Sequence, residues 1–570
     1  MGAVRRSLWT VGLLLACRSS APADAAVDHP PPADTPRDTG PTPGNDVVKV
    51  DAPDVPSVPS SIGEACTATS PEDPGTCAAG ERCLPSPDGY CVSFCAQSRT
   101  CPAGSVCVDS ARFGDLCLKA CDDDGGCREG YTCDPAWRAC VAPGFASPPT
   151  PRCSAPTPPR ARFGPARAIT AARPDRGYDW EPSAALLPDG RLAVAYTARA
   201  SGSLFARPTL RVATLDADGT PRADRLLSTA RSDHYDTWMT ATPGGPVLLA
   251  WLGHNGGGID RESQIGLART LDGDVWSAPV AAHDPRDCSA PDGCLDKPMV
   301  ASGPQPDAPT RPLVVLCYAA NGLRCRRSLD GGETFARSAL VAPGFYGDVR
   351  VDARGRVHAV VVSGPGNFTN PGWFGATQNR VVYARSDDGG VSYRQISVAS
   401  ATGERVPMYF SNAQVVRDEA RGLTHVVYPA GEGVAWNITV ATSRDDGATW
   451  THLRANDDAP CATHMTPSAA LDPSTGALHL LWLDDRDGRG AAVWTRCDPG
   501  APRCAPNERV SDAPFDSFAL VRQSPRWLGE YHALVVDPTR RRLHALWTGT
   551  VREGDAPVAR IFHAAAGLDP

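Results

Sequence analysis

From about residue 160 onward, short apolar or alternating runs are separated by polar turns at a near-regular spacing. Seven stretches share one plan, a polar turn followed by a hydrophobic run. They are LPDGRLAVAYTA, TPGGPVLLAWLG, RPLVVLCYA, DARGRVHAVVV, RDEARGLTHVVYPA, DPSTGALHLLWLD and DPTRRRLHALWTG. Each reads as the end of one strand, a turn and a second strand. A third strand follows in several copies, among them QIGLART, NRVVYARS, NITVATS, AVWTRC and ARIFHAA. No apolar run approaches the roughly 20 residues of a membrane-spanning helix. The pattern predicts an all-β chain of repeated antiparallel units.

A second repeat runs through the same region. Thr270–Trp276, Ser328–Phe335, Ser386–Tyr393 and Ser443–Trp450 share an aspartate-and-glycine turn closed by an aromatic. Their aspartates, Asp272, Asp330, Asp388 and Asp445, lie 58, 58 and 57 residues apart, and a weaker copy ends at Gly219. Asp and Ser oxygens accept backbone N–H groups in tight turns, and Gly supplies the positive φ. The motif resembles the Asp-box, or BNR repeat, of sialidases and related β-propellers. That resemblance implies a seven-bladed propeller over 161–570, with six blades as the alternative count. Repeated four-stranded units of this length are propeller blades. The last unit lacks a fourth strand, and RFGPARAIT, residues 162–170, is expected to supply it.

The N-terminal part is organised differently. Residues 1–17 carry Arg5 and Arg6, a short apolar run and Leu-Leu-Ala-Cys, which reads as a secretory signal. The ending resembles the bacterial lipobox, which implies lipidation at Cys17 and an extracytoplasmic cell-envelope location, at an outer membrane or cell surface. Residues 18–61 are rich in Pro, Asp and Ala and have almost no large aliphatics, so they form a disordered, semi-stiff tether. Residues 62–142 hold twelve cysteines between Cys66 and Cys140, in three sets of four. With no Cys-x-x-Cys pair and no His, they read as disulfides rather than a zinc site, with open connectivity. Residues 143–160 form a second linker.

Composition narrows the partners. Net charge is −8, with 42% hydrophobic and 21% charged residues. The acidic balance excludes a nucleic-acid binder, because it cannot neutralise a run of phosphates. The membrane is reached through the lipid anchor only. Of the remaining cysteines, Cys317 and Cys325 flank a short turn, Cys288 and Cys294 can close a loop, and Cys497 and Cys504 bracket another. Cys153 and Cys461 are left to pair by elimination.

In a propeller, the Asp-boxes mark one face and are structural. Ligands usually bind the opposite face, near the starts of the inner strands. There the sequence places Asp179, Glu181, Asp236, Asp296, Asp348 and Glu530, with Lys297, Arg350 and His464 as positive partners. Tyr531 and, from a long loop, Trp373 add aromatic surface. Aromatics beside carboxylates suit sugars. The candidate catalytic set is Glu530, Tyr531 and Asp179; the candidate ligand-binding set is Glu181, Asp236, Asp348, Arg350 and Trp373. No cofactor is expected, although a buried carboxylate cluster could hold calcium. Sialidases use three arginines, a Tyr/Glu pair and an Asp acid. The early Arg-Ile-Pro motif that carries the first arginine is missing here, where the chain reads Asp179-Trp-Glu-Pro-Ser183. The sequence thus favours a surface protein binding an extracellular glycan or protein. The alternative is an exo-α-sialidase or other glycoside hydrolase.

Overall fold

The computed structural model describes residues 60–568 apart from 68–75, 79–80, 85–87, 95–100, 111–113, 135–137, 142–157, 160–161, 171–177, 200–206, 228, 230, 256–262, 288–294, 321, 364–378, 405, 407–411, 433–434, 459–461, 487–489, 516–527 and 554–555. The signal, the tether up to residue 59, Cys17, Trp373, Cys153, Cys288, Cys294 and Cys461 therefore lie outside the described residues. The described residues are strands and turns, with one 3-10 turn at Asp124–Gly126. None of their helices is long and apolar enough to cross a membrane.

In the cysteine-rich segment the bridges close each repeat internally, in an interleaved order. Cys66–Cys83 and Cys77–Cys91 link first to third and second to fourth in one set of four, and Cys121–Cys133 with Cys127–Cys140 do the same in the third. Cys101–Cys117 follows this pattern in the middle set. The bridges are not the segment's only support. Tyr90, Val92, Val108, Leu116, Leu118, Tyr131, Ala139 and Val141 form a small buried cluster across the repeats. The Tyr90 hydroxyl reaches the Cys140 carbonyl at 3.0 Å.

Beyond residue 160 the strands form consecutive four-stranded antiparallel groups. Their first strands are Tyr178–Leu186, Asp233–Ala241, Asp296–Gln305, Gly347–Val351, Gln414–Asp418, His464–Leu471 and Ala533–Asp537. Each packs on the first strand of the next group, and the last packs on the first. The result is a β-propeller. Its apolar residues fill the space between successive sheets, as in the cluster of Leu248, Leu316, Leu323 and Val349.

The last group has three strands of its own. Its fourth is Arg167–Ala168, antiparallel to Ala556–Gly567, flanked by Gly164 N–H to the Ala565 carbonyl and Ile169 N–H to the Ile561 carbonyl. The start and end of the ring are thus sewn together. A parallel bridge, Ala559 to Tyr178, then carries the last group into the first. Behind that bridge lies a buried ion pair, Arg560 to Asp179 at 3.3 Å, with both side chains at most 1% exposed.

The repeated turns share one bonding pattern. In the turn at 328–335, Asp330 Oδ1 accepts the N–H groups of Glu333 and Thr334 at 3.0 Å, and Gly332 donates to Ser328 Oγ. Asp388 and Asp445 do the same work in their turns. Hydrogen bonding to Thr449 leads in pulling the Asp445 carboxyl down to about 2. Each turn is also pinned by the preceding group: Arg225 reaches Asp274, Arg269 reaches the Gly331 carbonyl, and Ser397 donates to the Gly447 carbonyl. Gly447 is required here, since a Cβ would stand 2.2 Å from the Tyr383 ring.

Breaking a buried ion pair strands one charge in the interior. Arg560→Met should therefore lower the unfolding free energy by about 3 kcal/mol or more, read from urea denaturation. The double variant Arg560→Met/Asp179→Leu should recover most of that loss. If Arg560→Met alone unfolds like the parent, the pair does not hold the seam.

Candidate functional site

Four of the first strands share an irregularity close to their starts. The pairing register shifts between Trp180 and Ser183, Tyr235 and Trp238, Asp296 and Met299, and Met465 and Ser468. Within these bulges Glu181, Asp236, Lys297 and Thr466 adopt positive φ of 57°, 53°, 46° and 51°. None is glycine, and Glu181, Lys297 and Thr466 each precede a proline, a position that favours extended backbone. Such strain concentrates at functional sites. Bulges re-aim side chains, and three of these side chains meet.

Oxygen atoms of Glu181, Asp236 and Glu530 lie within 4.8 Å of one another, all buried. Lys297 Nζ enters this group, 2.6 Å from Asp236 Oδ1 and in contact with Glu530, with Asp296 at 4.0 Å. Tyr531 donates its hydroxyl to Asp236 Oδ1 at 2.9 Å, and Tyr346 donates to Glu530 Oε1 at 3.1 Å. The Glu530 N–H reaches Glu181 Oε1 at 3.2 Å. That approach needs Gly529, where a Cβ would come within 2.6 Å of Glu181 Cγ. The aromatic walls are close: Nζ stands 5.5 Å from the centre of the Tyr346 ring and 6.0 Å from that of Tyr531.

Burial sets the electrostatics. It leads in raising the Glu181 carboxyl well above the ordinary range, with the Asp236 charge adding to it. Burial also pushes Asp296 up to about 8, against the pull of Lys297. Burial opposes the charge on Lys297, but Asp236, Glu530 and Asp296 outweigh it and hold the ammonium pKa above its usual value. Burial and then Asp236 raise the Tyr531 hydroxyl far above 10. The ammonium sits where a calcium ion bound by this trio would need to be, so these residues do not fit a metal without displacing it.

The other expected residues lie in different settings. Asp179 pairs with Arg560 at the seam. Asp348 is fully buried, 2.8 Å from Arg350, and accepts the Val415 N–H at 3.2 Å; burial lifts it to about 6. Asp348 therefore ties two neighbouring groups, while Arg350 keeps 35% of its side chain exposed. His464 forms a second charged centre. Its Nε2 lies 3.1 Å from Asp458 and 3.2 Å from Asp484, and its Nδ1 reaches the Trp436 carbonyl. Arg486 completes this centre, 2.7 Å from Asp484. Burial opposes charge on His464, but the two aspartates raise its pKa to about 10. Cys317–Cys325 and Cys497–Cys504 are disulfide-bonded. Arg560 and Arg486 were not singled out in the sequence; the only available signal is a charge placed inside or just after an apolar strand.

No protein-family model matches the chain, and no curated protein matches it. Solved structures with a related course of strands include a Hadza microbial sialidase, 16% identical, with a TM-score of 0.38 over 66% of this chain and 77% of that one. A phage phi92 endosialidase is 9% identical, with a TM-score of 0.44 over 72% of this chain and 70% of that one. A protein of unknown function from Dyadobacter fermentans is 14% identical, with a TM-score of 0.43 over 72% of this chain and 99% of that one. No residue role is carried over from any of them.

His464 generates a pH test. Its folded pKa is raised, so its stabilising effect is complete below pH 6.5 and is lost as pH climbs toward 10. In that window the folded state holds a proton that the unfolded state has released, so stability falls by about 1.4 kcal/mol per pH unit. Asp296 acts in the same direction up to about pH 8. Urea midpoints at pH 7 and 9 should show this loss in the parent, and His464→Gln should flatten the slope. An unchanged slope in that variant would remove His464 as its cause.

Proposed function

We propose that the chain is a lipid-anchored envelope protein that holds a seven-bladed Asp-box propeller away from a membrane. The propeller binds an extracellular glycan or protein and does not hydrolyse it. Lipidation at Cys17, a tether over 18–61, a cysteine-rich module over 62–142, a linker over 143–160 and a ring over 161–570 make up this arrangement. The strand groups support a count of seven, with Arg167–Ala168 completing the last.

One observation carries the preference for binding. Two-carboxylate glycoside hydrolysis needs two carboxyl groups free to act on the substrate. Here three carboxylates are gathered within 4.8 Å, buried, and already bonded to Lys297, Tyr531 and Tyr346. Such a set supports the ring and leaves little free for chemistry. Ligand contact then falls to more accessible rim groups such as Arg350.

A second reading keeps one supporting observation. Tyr531 and Asp236 come from distant parts of the chain and meet at 2.9 Å. A tyrosine beside a carboxylate is the pairing that the sialidase resemblance implies for a nucleophile and its helper. Against this, burial and the neighbouring acids stabilise the neutral phenol.

Hydrolysis of a fluorogenic sialoside by the full chain separates the two readings. The expected result is no turnover, together with retention of specific ligands on a glycan array and weaker retention by Arg350→Ala. Turnover that disappears in both Tyr531→Phe and Glu530→Gln would overturn the binding reading and establish the hydrolase.

A further inference from the structure

Lys297 is in an unusual position for a lysine. Its amine is buried, touches two carboxylates and is walled by two tyrosine rings. Both Lys297 and Asp236 are held at positive φ by bulges in neighbouring first strands. The fold thus fixes an amine 2.6 Å from a carboxyl oxygen and keeps it there. Fixing two reactants in contact is worth a very high effective concentration.

We propose that the Lys297 amine and the Asp236 carboxyl condense after folding into an intramolecular amide that staples the second strand group to the third. The Nζ–Cγ bond forms and one Cγ–Oδ bond breaks. The ammonium loses two protons, and both leave with the departing Asp236 oxygen as water. No oxidant, reductant or co-reactant enters the balance.

The neighbours supply what this step needs. Glu530 touches Nζ and can take a proton from it and return it to the leaving oxygen, as a general acid–base group does. Tyr531 donates to the Asp236 carboxyl and so polarises the carbon under attack. The low neutral fraction of the amine slows the attack but does not prevent it, because the reaction occurs once per chain rather than at every turnover. The product replaces a buried ion pair, costly to desolvate, with a neutral amide. Tyr531 remains in place to donate to the new carbonyl, and Glu530 to accept the new N–H. Glu530 is the proton carrier and not the electrophile, because Asp236 has the shorter, more rigid side chain and is fixed by its own bulge.

The test is peptide mapping of the folded full chain. Trypsin releases residues 232–261 with Asp236, and residues 287–324 with Lys297, since Lys297 and Arg311 each precede proline. After reduction, the two should appear as one branched species, lighter than their sum by one water. Lys297→Met should return residues 232–261 as a linear peptide. Glu530→Gln, checked as folded by circular dichroism, should slow linkage by about 100-fold and leave freshly purified protein mostly unlinked. Separate linear peptides in the parent chain would overturn the proposal. A branch joining Lys297 to the Glu530 peptide would overturn the assignment of Asp236. Neither result depends on whether the ring binds or hydrolyses a ligand, so this inference and the proposed function fail separately.

Discussion

Where the inner strands of a ring converge, their starts bring charged side chains together in buried positions. Charged side chains placed there must compensate one another or be neutralised. This constraint organises the middle of the molecule. Lys297 stands among Asp236, Asp296 and Glu530, with Glu181 and the hydroxyls of Tyr346 and Tyr531 completing the shell. Burial first, and the neighbouring acids after it, explain why Glu181 and Asp296 keep their protons so readily. The contacts of this cluster also explain why the three bulges at Glu181, Asp236 and Lys297 are tolerated. Each costs backbone strain, and the contacts it makes possible hold the strained residue in place.

The same rule governs the other buried charges. His464 with Asp458, Asp484 and Arg486 forms a second balanced group, and Arg560 with Asp179 a third. Two of these groups sit at equivalent joints. A parallel bridge joins Ala559 to Tyr178, and another joins Trp436 to Thr463. At each joint, a charged residue one position further along the first strand, Asp179 or His464, finds its counter-charge. The ring therefore uses charge pairing at the points where one sheet hands over to the next.

The repeats were legible because their chemistry is local. A turn such as Ser328-Leu-Asp-Gly-Gly-Glu-Thr-Phe335 contains its own acceptors, donors and glycines within eight residues, so its spacing alone marks the units. The contents of the centre were legible only as a set of acids at equivalent positions. Which acid meets which partner was not, since Tyr531 and Asp236 are 295 residues apart and Lys297 and Asp236 are 61. Asp179 illustrates the limit. Its position matched the ring, but Arg560, hidden in an apolar strand, engages it at the seam. The bulges escaped notice for a related reason. One extra residue shifts the alternation of a strand without leaving a local signature, and the recurring x-Pro pairs at Glu181, Lys297 and Thr466 were the one available sign.

The closing strand also has a mechanical meaning. Arg167–Ala168 is the first strand of the ring on the N-terminal side, and it is held to the final sheet by a short series of backbone bonds. Tension arriving along the preceding segments would load the Pro159–Arg509 backbone bond and the Arg162–Glu508 pair first, and then these bonds. Their rupture would expose the edge of Ala556–Gly567 and shift the load to the Ala559–Tyr178 bridge and the Arg560–Asp179 pair behind it. The seam is thus a graded joint, weak at its outer stitch and strong at its buried one, so a sharp pull opens one strand while the circle of sheets stays intact.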